Sequence, residues 1–132
     1  MLNLFAIQFM APLAYLMLRM CLGIILIRFG CIHIQHRHAL KEIFSLRLFP
    51  FGSFFVWYLG IIEIILGSML MLGFFTQLAA LLTMLLSLKF IIMHKRFSHR
   101  LIPPRIVFVL MGIISLSLFI KGAGAYAIDL PI

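Results

Sequence analysis

Apolar residues run along this chain in four long blocks, parted by one tight polar turn and two longer basic connections. The blocks cover roughly residues 10–32, 53–72, 77–93 and 104–120. About 20 apolar residues in a helix cross a bilayer. Backbone groups in lipid must find partners within their own segment, so each block is predicted to be a transmembrane helix. The pattern predicts an all-α fold, a four-helix transmembrane bundle, with residues 1–132 forming a single domain.

The connections differ in kind. Blocks two and three are joined by "GFFTQ", residues 73–77, where Gly73 suits the position just past a helix end and Thr76 a cap for the next start. A turn this short makes the two helices antiparallel neighbours. "HIQHRHALKEIFSLRLFPFG" joins blocks one and two. In it Leu40, Ile43 and Phe44 recur at helical spacing beside Lys41, Glu42 and Arg47, which predicts a short helix lying in the membrane interface. "HKRFSHRLIPPR" joins blocks three and four, and Pro103 and Pro104 suit a helix start.

Composition agrees. Hydrophobic residues make up 65% of the 132, charged residues 11%, and mean hydropathy is +1.24. A soluble domain of this length has too little interior to hide so much apolar surface. The bilayer is the expected partner. The N-terminus lacks the basic stretch of a cleavable signal peptide, so the first block is read as retained.

Eleven Lys and Arg stand against three Asp and Glu. Most of the basic residues flank apolar blocks, which points to charge-directed topology and not to nucleic acid. The two basic connections each follow an odd-numbered span and share one face, with Arg37, Lys41, Arg47, Lys95, Arg96, Arg100 and Arg105. Lys121 is the basic side chain of the opposite face. The expected arrangement is basic loops in the cytoplasm and both termini outside.

Within "GIIEIILGSML", residues 60–70, Glu63 interrupts an otherwise oily run. Arg19 interrupts the first block at a similar predicted depth. A lone charge in hydrocarbon costs at least ~2.5 kcal/mol, so such groups face the bundle interior and find partners. Gly60, Glu63 and Gly67 share one helix face; Arg19, Gly23 and Gly30 share another. Small residues permit close helix approach in membranes. The expectation is that these faces meet and Arg19 pairs with Glu63, either as a register-fixing ion pair or as an anion, proton or headgroup site. Arg28 and Lys89 are expected to snorkel to the interface.

These residues fall in a pattern that resembles the DoxX family. "RMCLGIILIRFG" is similar to its first-helix signature, and Glu63, Gly67, Gly73 and Thr76 keep the spacing of its second-helix segment. "LAALL" after the turn and "GAGAYAID", residues 122–129, are similar to its later motifs. The resemblance implies a small four-helix protein of the cytoplasmic membrane, of a kind linked to redox systems such as a thiosulfate:quinone oxidoreductase. It also brings Tyr126 and Asp129 forward as C-terminal contacts. Two positions depart from the family, which commonly has Lys where this chain has His33 and Arg where it has Gln77.

Cys21 and Cys31 lie ten residues apart, about 15 Å of rise on one helix, beyond disulfide reach. A dithiol redox enzyme is excluded, and the cysteines read as packing residues. His33, His36, His38, His94 and His99 all fall on the basic side. That density permits a metal or haem site, against which Arg37, Lys95 and Arg96 would repel a cation. The chain is not expected to be catalytic on its own. The leading expectation is an accessory subunit of a redox complex with a pocket for a quinone head. The alternatives are a non-catalytic anchor or assembly factor for a protein partner or a second copy, and a small-anion or proton pathway.

Overall fold

A computed structural model describes residues 4–44, 52–94 and 102–121. The described residues form five helices: α1 (Leu4–Gln35), α2 (Arg37–Phe44), α3 (Gly52–Leu72), α4 (Thr76–His94) and α5 (Arg105–Lys121). There is no strand among them. The first helix runs further at both ends than the expected 10–32. Stretches Met10–Gln35 and Phe54–Leu72 are long and apolar enough to cross a membrane, and Thr76–Ile92 is a shorter apolar helix.

The four longer helices pack in a closed order. Helix α1 lies against α3, α3 against α4, α4 against α5, and α5 against α1, the α1–α3 and α4–α5 contacts being the most extensive. The short α2 rests on α3, burying Leu40 while Arg37 and Lys41 stay exposed. Its amphipathic face follows from that split. The basic connection that follows, including Arg47, lies outside the described residues, as do Lys95, Arg96 and Arg100.

Polarity is inverted relative to a soluble protein. Arg19, Glu63, Thr83, Ser87 and Ser115 are buried, while Ile24, Ile65, Leu85, Ile92, Ile113 and Ile120 are exposed. Three of the interior hydroxyls are satisfied within their own helix. Thr83 donates to the Ala79 carbonyl at 2.7 Å, Ser87 to Met84 at 2.7 Å and Ser115 to Met111 at 2.6 Å. A continuous apolar exterior of this kind matches lipid, not water.

Helices α1 and α3 touch backbone to backbone. A Cβ on Gly23 would stand 2.7 Å from the Gly67 carbonyl oxygen, and one on Gly30 would stand 2.6 Å from that of Gly60. The reciprocal distances, from Gly67 to Gly23 and from Gly60 to Gly30, are 2.7 and 2.8 Å. Any side chain at these four places would force the helices apart.

The turn into α4 has a defined cause. Gly73 takes φ 68°, its N–H reaches the Leu70 carbonyl at 3.3 Å, and the Phe74 N–H reaches that of Met69 at 3.0 Å. This paired closure ends α3 and requires the left-handed residue that glycine supplies. The first bond of α4 runs from the Ala79 N–H to the Phe75 carbonyl, so the cap position falls to Phe75 and not to Thr76. At the start of α5, Val107 N–H bonds the Pro104 carbonyl.

Candidate functional site

The buried carboxylate of α3 takes its partner from the far end of α1. Nδ1–H of His33 donates to Oε2 of Glu63 at 2.6 Å, with Glu63 fully buried. The glycine contact makes this possible. A Cβ on Gly60 would lie 3.3 Å from the His33 Cβ, so α1 passes directly over Gly60, and the imidazole reaches one turn along α3 to Glu63.

The expected Arg19–Glu63 pair is corrected by the same register. Gly23 meets Gly67 and Met71, and Arg19 lies one turn further toward the start of α1. Arg19 is therefore level with the end of α3, about 12 Å along the axis from Glu63. Both residues are buried, but at different heights. The glycine face sets the register, while the depth match aligned the midpoints of two helices that are in fact offset along their axes. A signal for His33 was present: the DoxX pattern places lysine there, another cation able to meet a carboxylate.

Aromatic rings surround the imidazole. It stacks on Phe90 of α4 with centroids 5.7 Å apart and planes 8° apart. Phe90 stacks in turn on Phe108 of α5 at 5.0 Å, and Phe108 meets Phe29 of α1 at 5.8 Å. The His33–Phe90 stack joins helices whose backbones do not touch. These rings, with Ile32, Ile102 and Pro103, line a cleft in which His33 is the polar residue. The space between them is small, about 20 Å³, room for a water.

The second oxygen of the carboxylate, Oε1, is buried and makes no hydrogen bond. Lys89 of α4 is half-buried and within electrostatic reach of Glu63, and its ammonium lies 4.4 Å from the centre of the Phe55 ring. Snorkelling describes where Lys89 rests but omits this link. Arg28 is exposed on the outer face of α1.

The remaining candidates disperse. His36 and His38 are exposed where α1 passes into α2, away from the buried His33, and His94 closes α4. His99, Tyr126 and Asp129 lie outside the described residues. No three metal-ligating side chains converge among the described residues. Cys21 and Cys31 are exposed on the outer face of α1, which replaces the expectation that they pack inside.

Comparison with curated proteins and with solved structures returned no significant match. The model of the DoxX family matches residues 14–96, a stretch that takes in most of α1 and all of α2 through α4, with the glycine contact and the His33–Glu63 pair; the chain belongs to the DoxX family.

Proposed function

We propose that this protein is the membrane subunit of a quinone-linked redox complex, spanning the cytoplasmic membrane as a four-helix bundle and binding a quinone head in the cleft beside His33. The observation that carries this reading is the buried His33–Glu63 pair at the edge of an aromatic-lined cleft. A flat head would enter as the stacked rings of Phe90 and Phe108 part, and His33 could then meet its carbonyl. Ile32, Ile102 and Pro103 suit the start of an apolar tail. Such a head supplies electron-carrying chemistry when bound, and electrons would come from a partner subunit.

The test is a lipid extract of protein purified in mild detergent, analysed by mass spectrometry. The expected result is a near-stoichiometric quinone that His33→Ala loses while the protein keeps its helix content. Phospholipid alone in the cleft would overturn the reading.

A second reading rests on α2, where His36, Arg37, His38 and Lys41 are all exposed. That basic surface suits an anchor for an acidic partner protein on the cytoplasmic side. A stoichiometric protein partner without any small molecule would favour it.

A further inference from the structure

The unsatisfied oxygen of Glu63 and the bent-away ammonium of Lys89 belong together. Oε1 is fully buried and accepts no hydrogen bond, although a carboxylate in a low-dielectric interior gains much from a donor. A cation within electrostatic reach, Lys89, is on the neighbouring helix. Counting outward from the turn, Lys89 stands thirteen residues past Thr76, level with Leu59, thirteen before Leu72. Phe55 lies four residues to one side of Leu59 and Glu63 four to the other. Each is one turn, roughly 5.4 Å, from the level of Lys89. The flexible four-carbon stem of lysine spans that distance in either direction. It now points toward Phe55, the end of α3 that adjoins the basic connection.

We propose that Lys89 is a proton-carrying arm that moves between the Phe55 ring, near the cytoplasmic face, and Oε1 of Glu63 in the interior. The inference rests on reading the cleft as a proton-using site. When ionised on both sides, the His33–Glu63 pair is neutral overall. Transfer of the Nε2 proton from the imidazole to water at the cleft leaves the pair with one net negative charge, which the apolar interior disfavours. That charge draws the ammonium from Phe55 to Oε1. The Nζ–H bond then breaks as the Oε1–H bond forms, and the pair is neutral again. The uncharged amine returns to the interface and takes a proton from water.

Among the described residues, the other helices supply no competing group. His33 is the titratable residue that α1 presents to the pair. Arg105 and Lys121 lie at the two ends of α5, and Lys41 of α2 is exposed beside Gly52. The π-face of Phe55 gives the ammonium a resting place without holding it as a carboxylate would.

The test follows the His33 Nδ1–H proton by nitrogen-15 NMR of histidine-labelled, ligand-free protein in bilayer discs, with His33→Ala to identify the signal. Exchange of this proton with water should be slowed about 10²-fold by Lys89→Met. Lys89→Arg should slow it similarly, because guanidinium keeps the charge but does not release a proton. In both variants the downfield shift of the hydrogen-bonded proton should persist, which shows the pair intact. Unchanged exchange in Lys89→Arg with that shift retained would overturn the proposal, whatever Lys89→Met does to the fold. Since no quinone takes part, failure here leaves the ligand reading standing, and loss of quinone binding leaves this result standing.

Discussion

His33 and Glu63 are thirty residues apart in sequence, yet Nδ1 of one lies 2.6 Å from Oε2 of the other, deep between α1 and α3. Both are carried there by glycines. Each stands three residues after a glycine of the close-contact pair Gly30–Gly60. The glycine pair fixes the height of the two antiparallel helices, and the polar pair straddles that crossing, one member to each side. Packing and polar pairing are therefore one arrangement, and each makes a separate prediction.

Breaking the polar pair from one side should be costly. His33→Phe leaves Glu63 buried without its histidine donor, and loss of one partner of a buried ion pair costs about 3–5 kcal/mol. Glu63→Leu should cost a similar amount. The double variant His33→Phe with Glu63→Leu should be much closer to wild type, because it removes both polar groups and keeps volume. Unfolding midpoints in a fixed detergent mixture give the coupling energy. Additive losses would show that the two residues do not act as a unit.

The glycine contact should be sensitive to a single methyl group. At Gly30 and Gly60 an added Cβ would meet a carbonyl oxygen at 2.6 and 2.8 Å, and backbone cannot rotate away as a side chain can. Gly60→Ala should destabilise by roughly 1–3 kcal/mol through overpacking. Gly112 of α5 is the control, since its added Cβ would meet the Ser87 hydroxyl oxygen at 3.0 Å, a group that can turn aside. Thermal melts of Gly60→Ala and Gly112→Ala should differ clearly, and equal melts would contradict the close approach.

Much of this was legible in the chain itself. The apolar blocks mark the long helices, because lipid leaves no other way to satisfy a backbone. Gly73 marks the turn because only a left-handed residue closes α3 there. Glu63 reads as buried because a charge on the outer face would be too costly. The partner of Glu63 was not legible by counting from span midpoints. Helix α1 continues to Gln35, past the predicted boundary, so His33 belongs to the bundle and not to the connection. Pairing the two glycine intervals, 23–30 against 60–67, would have shown that Arg19 falls at the other end. The aromatic cleft was also hidden, since Phe29, Phe90 and Phe108 come from three helices and share no spacing.

The different heights of Arg19 and Glu63 make a negative prediction. Charge reversal at both, Arg19→Glu with Glu63→Arg, should restore nothing that either single change loses. The two groups sit about 12 Å apart along the helix axis, and each reversed charge would lack its local partner. Expression level and monodispersity in detergent are sufficient readouts. Rescue by the double reversal would mean that α1 and α3 meet in a different register from the one the glycines set.

Orientation in the membrane follows from which connections carry the basic residues. Arg37 and Lys41 of α2 are exposed, and α2 is separated by α3 from the turn at 73–75. If α3 crosses the bilayer, those two regions face opposite compartments, and the basic one is expected to face the cytoplasm. In a background with Cys21→Ala and Cys31→Ala, new thiols at Lys41→Cys and Phe75→Cys report each side. Phe75 is suitable because its side chain is 54% exposed. A membrane-impermeant maleimide should label the thiol at 75 in intact cells and the thiol at 41 only after permeabilisation. The reverse pattern would invert the bundle and move the His33 cleft to the outside. Labelling of both from one side would mean that α3 does not span, and the polar interior would then need another explanation.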